Sequence, residues 1–409
     1  MRPVWMAIIV LQITVLAGKH DRLNVPARVL VTLPESVAEV RSVVLKAPDG
    51  TEVMGQLAAP GLLSPSKGAR KGEVRRELHF IVPELKAGAR VTLEGTIRPG
   101  AGPKIEGFRW QDSAGEYAEL KFGDRPVMRT VYKAIDESSK EARELTYKVY
   151  HHLYDPSGGR LVTKGPGGLY THHRGLFYGF NRVTYGEGKG VDIWHCTGDT
   201  HQSHEGFLSS EEGPVLGRHR LAIDWHGIGK EVFAKEEREV TVYNVPGGVL
   251  VEFASKLRST VEKVKLDGDP QHAGFHFRAD NEVAEKTSGQ TYYLRPDGRG
   301  KPGETRNWPG NKGHVNLLWD AMSFVLGGKR YTVAYLDKPS NPKEARFSER
   351  PYGRFGSYFE YELDGSKELR VNYRIWLQEG EMTGQGVAGK SADFVEPPKV
   401  TAAVGFRLR

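Results

Sequence analysis

Leu169 to Phe180 reads LYTHHRGLFYGF, which sets two imidazoles and a guanidinium directly before a run of aromatics and glycines. Polar groups in a segment that otherwise reads as buried are costly unless they find partners, so the stretch either serves the fold or lines a site. Histidine suits proton transfer near neutral pH, and eleven of the fourteen histidines fall between His151 and His276. VDIWHCTGDTHQSH (Val191 to His204) adds Asp192, Trp194, His195, His201 and His204. DWHG adds Asp224, Trp225 and His226, and HAGFHFR adds His272, His276 and Arg278.

The chemistry these residues point to is acid–base. His172 or His173 transfers the proton, Arg174 holds a carboxylate or hydroxyl group, and Asp192 with His195 or His204 supplies the partners. Tyr178, Trp194, Trp225, His226, His276 and Arg278 are the candidate substrate-binding residues, the indoles offering flat apolar platforms for sugar rings. His151, His152 and His219 lack polar company on their own face and read as structural. HExxH is absent and His201-x-x-His204 has no helical context, so no metal ligand and no cofactor is assigned, although a metal-dependent site is the sharpest rival. Cys196 is the only cysteine, which excludes an intrachain disulfide and a thiolate zinc site; it reads as a small buried hydrophobe.

The elements that must position these groups are strands. Apolar residues alternate in ARVLVTL (Ala27 to Leu33), RVTLEGTI (Arg90 to Ile97), YAELKF (Tyr117 to Phe122), EVTVYNV (Glu239 to Val245), RYTVAYL (Arg330 to Leu336) and LRVNYRIWL (Leu369 to Leu377), the pattern of half-buried antiparallel strands. Read as one strand, the opening stretch puts His172, Arg174, Leu176 and Tyr178 on one face and His173, Gly175, Phe177 and Gly179 on the other. The start of the chain, with Arg2, an apolar run from Val4 to Leu16 and small residues at Ala17 and Gly18, predicts a secretory leader over residues 1–18 and a periplasmic or secreted protein. Glycine and proline cluster at Ile97 to Lys104, which divides the rest into a small immunoglobulin-like β-sandwich over 19–103 and a large β-sandwich over 104–409. A net charge of +7, spread along 409 residues, and a basic cluster at Ser66 to Arg76 without interleaved aromatics argue against nucleic acid. No later segment is long and apolar enough to span a bilayer. Oligomeric state is not legible.

The motifs YHHLYDPSGG, THHRGLFYGF, VDIWH, GFHFR, LLWDAMSF, LDKPSNP and RPYGRFG, in this order, resemble a bacterial family of unknown function labelled "methane oxygenase PmoA", from about Phe108 to the C-terminus. Tyr170 and Thr171 stand where relatives carry a His-Pro pair. A membrane methane monooxygenase subunit needs several spanning helices, so the label is read as a misassignment. The resemblance implies instead a large sandwich similar to the galactose mutarotase supersandwiches. Together these readings predict an exported carbohydrate-active enzyme performing hydrolysis, elimination or epimerisation on a sugar or glycoside. The alternatives are a non-catalytic carbohydrate-binding or surface-assembly protein and a metal-dependent oxidoreductase.

Overall fold

Period-two alternation makes strands of most of this chain. The computed structural model describes residues 8–65, 68–98 and 105–407, and among these the strands form antiparallel sheets of seven, eight, nine and four strands. The mainly β fold with a large antiparallel sandwich is therefore as expected. Two α-helices occur among the described residues, Lys140–Thr146 and Gly384–Val395. No helix among the described residues is long and apolar enough to cross a membrane.

The eight- and nine-stranded sheets share one core. In the first, Leu176–Phe180 pairs with Ala273–Arg278, which pairs in turn with Arg354–Tyr358. Leu176, Tyr178 and Phe180 point inward, where Tyr178 and Phe275 meet Phe253 of the nine-stranded sheet at ring separations of 5.9 and 4.3 Å. Each aromatic removed from water here contributes roughly 1.5–3 kcal/mol. Gly274 lies at φ +88°, and a Cβ there would stand 2.0 Å from the Ser357 carbonyl oxygen, so only glycine lets these two strands close.

The seven-stranded sheet draws on both ends of the described chain. Ile8–Leu16 is one of its strands, paired with Arg90–Ile97 on one side and with Lys399–Arg407 on the other. Ile9, Leu11, Ile13 and Val15 are buried in its core. Residues 8–16, inside the stretch read as a leader, are thus a doubly paired strand, while residues 1–7 lie outside the described residues. Lys399–Arg407, at the far end of the chain, lies at the edge of this same seven-stranded sheet. Of the expected linker Ile97 to Lys104, residues 99–104 lie outside the described residues, as do Ser66 and Lys67 of the basic cluster.

A buried polar seam joins the two units. Gln56 donates to the carbonyls of Glu212 and Leu216 and accepts from the Val215 and Leu216 amides, at 3.0–3.2 Å, so all the hydrogen-bonding capacity of its amide is used. Glu77 of the first unit faces Arg218 at 3.8 Å, and Arg28 reaches Glu252 at 3.8 Å, which also binds Arg374 at 2.6 Å. Burial opposes ionisation of both acids. For Glu77 the His79 imidazole, Arg28 and Arg218 overcome it; for Glu252, Arg374 and Arg28 do so and hold the carboxyl at about 2. A depressed carboxylate stabilises the fold fully above its unfolded value near 4.5 and loses that contribution as pH falls toward the folded value. Thermal stability is therefore expected to fall between pH 4.5 and 2. Glu252→Gln should remove on the order of 3 kcal/mol of this acid dependence, measured as melting temperature against pH.

Candidate active site

The opening stretch is a strand only from Leu176 onward. Before it the chain turns, with Tyr170 at φ +58° and the His173 amide donating to the Tyr170 carbonyl at 2.9 Å. At Gly175 a Cβ would stand 2.5 Å from the His151 carbonyl oxygen, so the chain enters the sheet through a gap that admits only glycine. Phe177 and its cross-strand partner His276 lie on the outward face of the sheet. Trp194 covers both, at ring separations of 5.2 and 4.8 Å.

Over this face two short turns of the same design present histidines. In Asp192-Ile-Trp-His195, Asp192 accepts the His195 amide and the His195 Nδ1, both at 2.7 Å. In Asp269-Pro-Gln-His272, the Asp269 carboxylate accepts from the Gln271 amide at 2.8 Å and meets His272 Nδ1 at 3.1 Å. Asp side chains favour such turns because they hydrogen-bond backbone two or three residues on. Here the same carboxylate also orients the imidazole. The two rings lie 4.7 Å apart, and His172 is 4.3 Å from His195 and 4.3 Å from His173.

The cluster runs from solvent into the protein. His195 and His272 are part-exposed, whereas His173 is buried. Burial, and after it Lys148 and the neighbouring imidazoles, pull His172 down to about 2. Burial and His172 likewise push His173 far below its ordinary value. Both are neutral at any physiological pH. Lys148, whose ammonium donates to the His172 carbonyl, is pulled down to about 7 by burial. Asp269 stays well below the usual carboxylate range: burial opposes this, but the hydrogen bond and charge of His272 outweigh it. His172, His173 and His272 offer nitrogens within 4.8 Å of one another. His172 Nε2 and both His173 nitrogens have no hydrogen-bond partner, so within the cluster these three residues fit a metal ion.

Of the expected site residues, His172, His173, Asp192, His195 and Trp194 come together, with Arg174 beside them and His276 and Arg278 beneath; Tyr178, His204, Trp225 and His226 lie elsewhere. Arg174 is buried, but its guanidinium donates to the carbonyls of Thr171, His173 and Glu144 and packs on the rings of Tyr147 and Tyr150, so it ties backbone together. His204 packs on Tyr132 and Phe207. Tyr178 and Trp225 are core residues, the indole donating to Glu236 at 3.0 Å. His226 stacks on His201 at 4.1 Å. The same-face expectation for His172, Arg174 and Tyr178 fails because strand alternation does not extend through a turn. His276 and Arg278 lie in a layer beneath the cluster, His276 bonded to Ala273 O at 2.7 Å and to Arg354 at 3.0 Å. Asp269, Lys148, Tyr352 and Arg354 were not anticipated. The repeated Asp-x-x-His spacing was the available signal for Asp269.

Cys196 sits beside this site but is not built to react. It is buried at φ +56°, and burial pushes its thiol up to about 11, so thiolate is scarce near neutral pH. Cys196→Ser is expected to keep most of the turnover, measured as kcat at unchanged melting temperature.

The family described as "Family of unknown function (DUF6807)" matches residues 117–392, which include the whole cluster. No curated protein matches the chain. Among solved structures, the chain is similar to an alpha-mannosidase from Enterococcus faecalis V583, with 9% identity and a TM-score of 0.49 over 97% of this chain and 46% of that one. It is similar also to a protein in the Glycosyl Hydrolase Family 38 from Enterococcus faecalis, with 10% identity and a TM-score of 0.49 over 97% and 47%. The chain thus spans under half the length of either.

Proposed function

The chain belongs to the DUF6807 family, and from its site we propose that it is an enzyme moving protons on a sugar-type substrate, with Asp192–His195 and Asp269–His272 as its acid–base pairs. The observation that carries this reading is the duplicated pairing, two imidazoles 4.7 Å apart, each with Nδ1 held by its own carboxylate. A carboxylate on Nδ1 leaves Nε2 as the basic atom and supports the imidazolium that forms when Nε2 takes a proton. Because both carboxylates are engaged, proton removal at carbon fits better than a glycosidase mechanism that needs a free carboxylate nucleophile.

In such a step Nε2 of one imidazole takes the C–H proton, and the electron pair is delocalised into an adjacent carbonyl or carboxyl group. The other imidazole, protonated, then gives its proton to the departing oxygen on the same side in elimination, whereas in epimerisation the opposite face of the carbon takes its proton from water. Tyr170, 46% exposed and 4.6 Å from the Tyr352 ring, offers an apolar face to a sugar at the rim. The test is turnover of a panel of neutral sugars, sugar acids and their glycosides. A binding protein would retain members of the panel and convert none, which would end the enzyme reading.

A second reading, metal-assisted catalysis, is favoured by the unpartnered nitrogens of His172 and His173 beside His272. Asp269 would then orient a ligand from behind, and an ion there would polarise a substrate oxygen. Metal content of the purified protein, with turnover before and after chelation, separates the two.

A further inference from the structure

Five basic side chains, Lys148, Lys164, Arg174, Arg278 and Arg354, are buried around and beneath the histidine cluster. Among the described residues no carboxylate hydrogen-bonds to any of them. Arg174 and Lys164 are met by backbone carbonyls; Arg278 and Arg354 are not fully met. They stand directly opposite each other on adjacent antiparallel strands, a like-charge register that is destabilising even on a surface, and both are about 1% exposed or less. Arg278 donates through Nη1 to the carbonyls of Ala279 and Tyr352, leaving Nε and Nη2 without partners. Those two nitrogens are the guanidinium edge that binds a carboxylate in bidentate fashion. Arg354 donates to Ser348 Oγ and to the Pro270 carbonyl and meets His276 Nδ1, with Nε unpartnered.

Elsewhere in the same core the chain does pair its arginines: Arg238 has Glu236 at 2.8 Å and Arg295 has Glu349 at 2.6 Å. Leaving two facing guanidiniums unpaired is therefore particular to this place. A buried charge without a counter-charge costs several kcal/mol, and an anionic ligand would remove that cost. The rings of Tyr170 and Tyr352 lead inward to it: Tyr170 is exposed and 4.6 Å from Tyr352, whose ring lies 4.9 Å from the Arg278 guanidinium and 6.0 Å from His173.

We infer that Arg278 and Arg354 form an oxyanion-recognition floor and that the substrate is a sugar acid whose carboxylate they receive. This deepens the proton-transfer reading and rests on it for the word substrate. Neutralising a carboxylate acidifies the adjacent C–H, because the charge that develops on proton removal is then stabilised by fixed donors. The carbon to be deprotonated is accordingly the one that bears the carboxylate.

The experiment is calorimetric titration of the whole chain with glucuronate, glucose and glucose 6-phosphate, for the wild type, Arg278→Gln and Arg354→Gln. Glucuronate is expected to bind at least tenfold more tightly than glucose, with that preference lost in Arg278→Gln and with Kd rising as salt is added. Equal binding of glucuronate and glucose, or an undiminished preference in both variants, overturns the inference, and tighter binding of the phosphate than of glucuronate overturns the carboxylate assignment. If a glutamine variant fails to fold, Arg354→Lys and the salt dependence of the wild type decide: a salt-independent Kd sinks the proposal. Conversion of neutral sugars with no preference for acids would sink this inference and keep the enzyme reading. Acid-selective binding with no conversion of any sugar would do the reverse.

Discussion

His195→Ala is expected to lower turnover by about a hundredfold or more, the scale of lost general acid–base catalysis, with an unchanged melting temperature. The ring is part-exposed and its hydrogen bond runs to Asp192, so its removal opens no core cavity. Asp192→Asn is the more discriminating variant. Its carbonyl oxygen can still accept the His195 amide and keep the turn, but its NH2 cannot accept from Nδ1. The imidazole must then place its proton on Nε2 or lose its orientation, and the basic atom is gone. Asp192 is thus a positioning residue, and kcat should fall while KM stays near that of the wild type. A purely structural role for Asp192 would instead lower stability with kcat per folded molecule intact. Asp269→Asn should behave like Asp192→Asn at His272.

Glu236→Ala should cost the most stability of any single change considered and leave kcat per folded molecule alone. Glu236 and Arg238 are both fully buried. The carboxylate accepts from Arg238 at 2.8 and 2.9 Å and from the Trp225 indole at 3.0 Å. Deleting it leaves a guanidinium buried and unpaired and an indole N–H unsatisfied, a loss of about 3–5 kcal/mol. Urea denaturation should show a lower midpoint. Replacing Arg238 by methionine in the same chain should return much of the loss, since the uncompensated charge is then gone.

What the sequence disclosed depended on whether the signal was local. The strands were legible from alternation, and His172, His173, Asp192 and His195 from their concentration along a short stretch. Tyr178 was misplaced for a physical reason: period-two arguments hold only inside a strand, and the strand begins at Leu176, after a turn with Tyr170 in the left-handed region; Trp225 lies on another strand, Leu216–His226, with its side chain in the core. His204 is close to His195 in sequence but is carried away on the strand His201–Glu211. Arg354 and Tyr352 could not be found by proximity, because cross-strand pairing of Arg354–Tyr358 with Ala273–Arg278 brings them in from far along the chain. The strand Ile8–Leu16 was not legible as one, because an apolar run has the composition of a leader as well as of a buried strand, and its partners Arg90–Ile97 and Lys399–Arg407 lie far along the chain.

The central claim is that the carboxylate-held imidazoles take a proton from a carbon of a sugar-type substrate, a sugar acid if Arg278 and Arg354 recognise its carboxylate. Proton NMR of glucuronate and of glucuronate-terminated glycosides in D2O, with wild-type protein, tests it directly by following the C–H next to the carboxyl group. Loss of that signal is expected, by deuterium exchange or by formation of a carbon–carbon double bond, with its persistence in His195→Ala. Conversion of a substrate with that C–H fully retained, or loss of the signal at equal rates with His195→Ala, would contradict it.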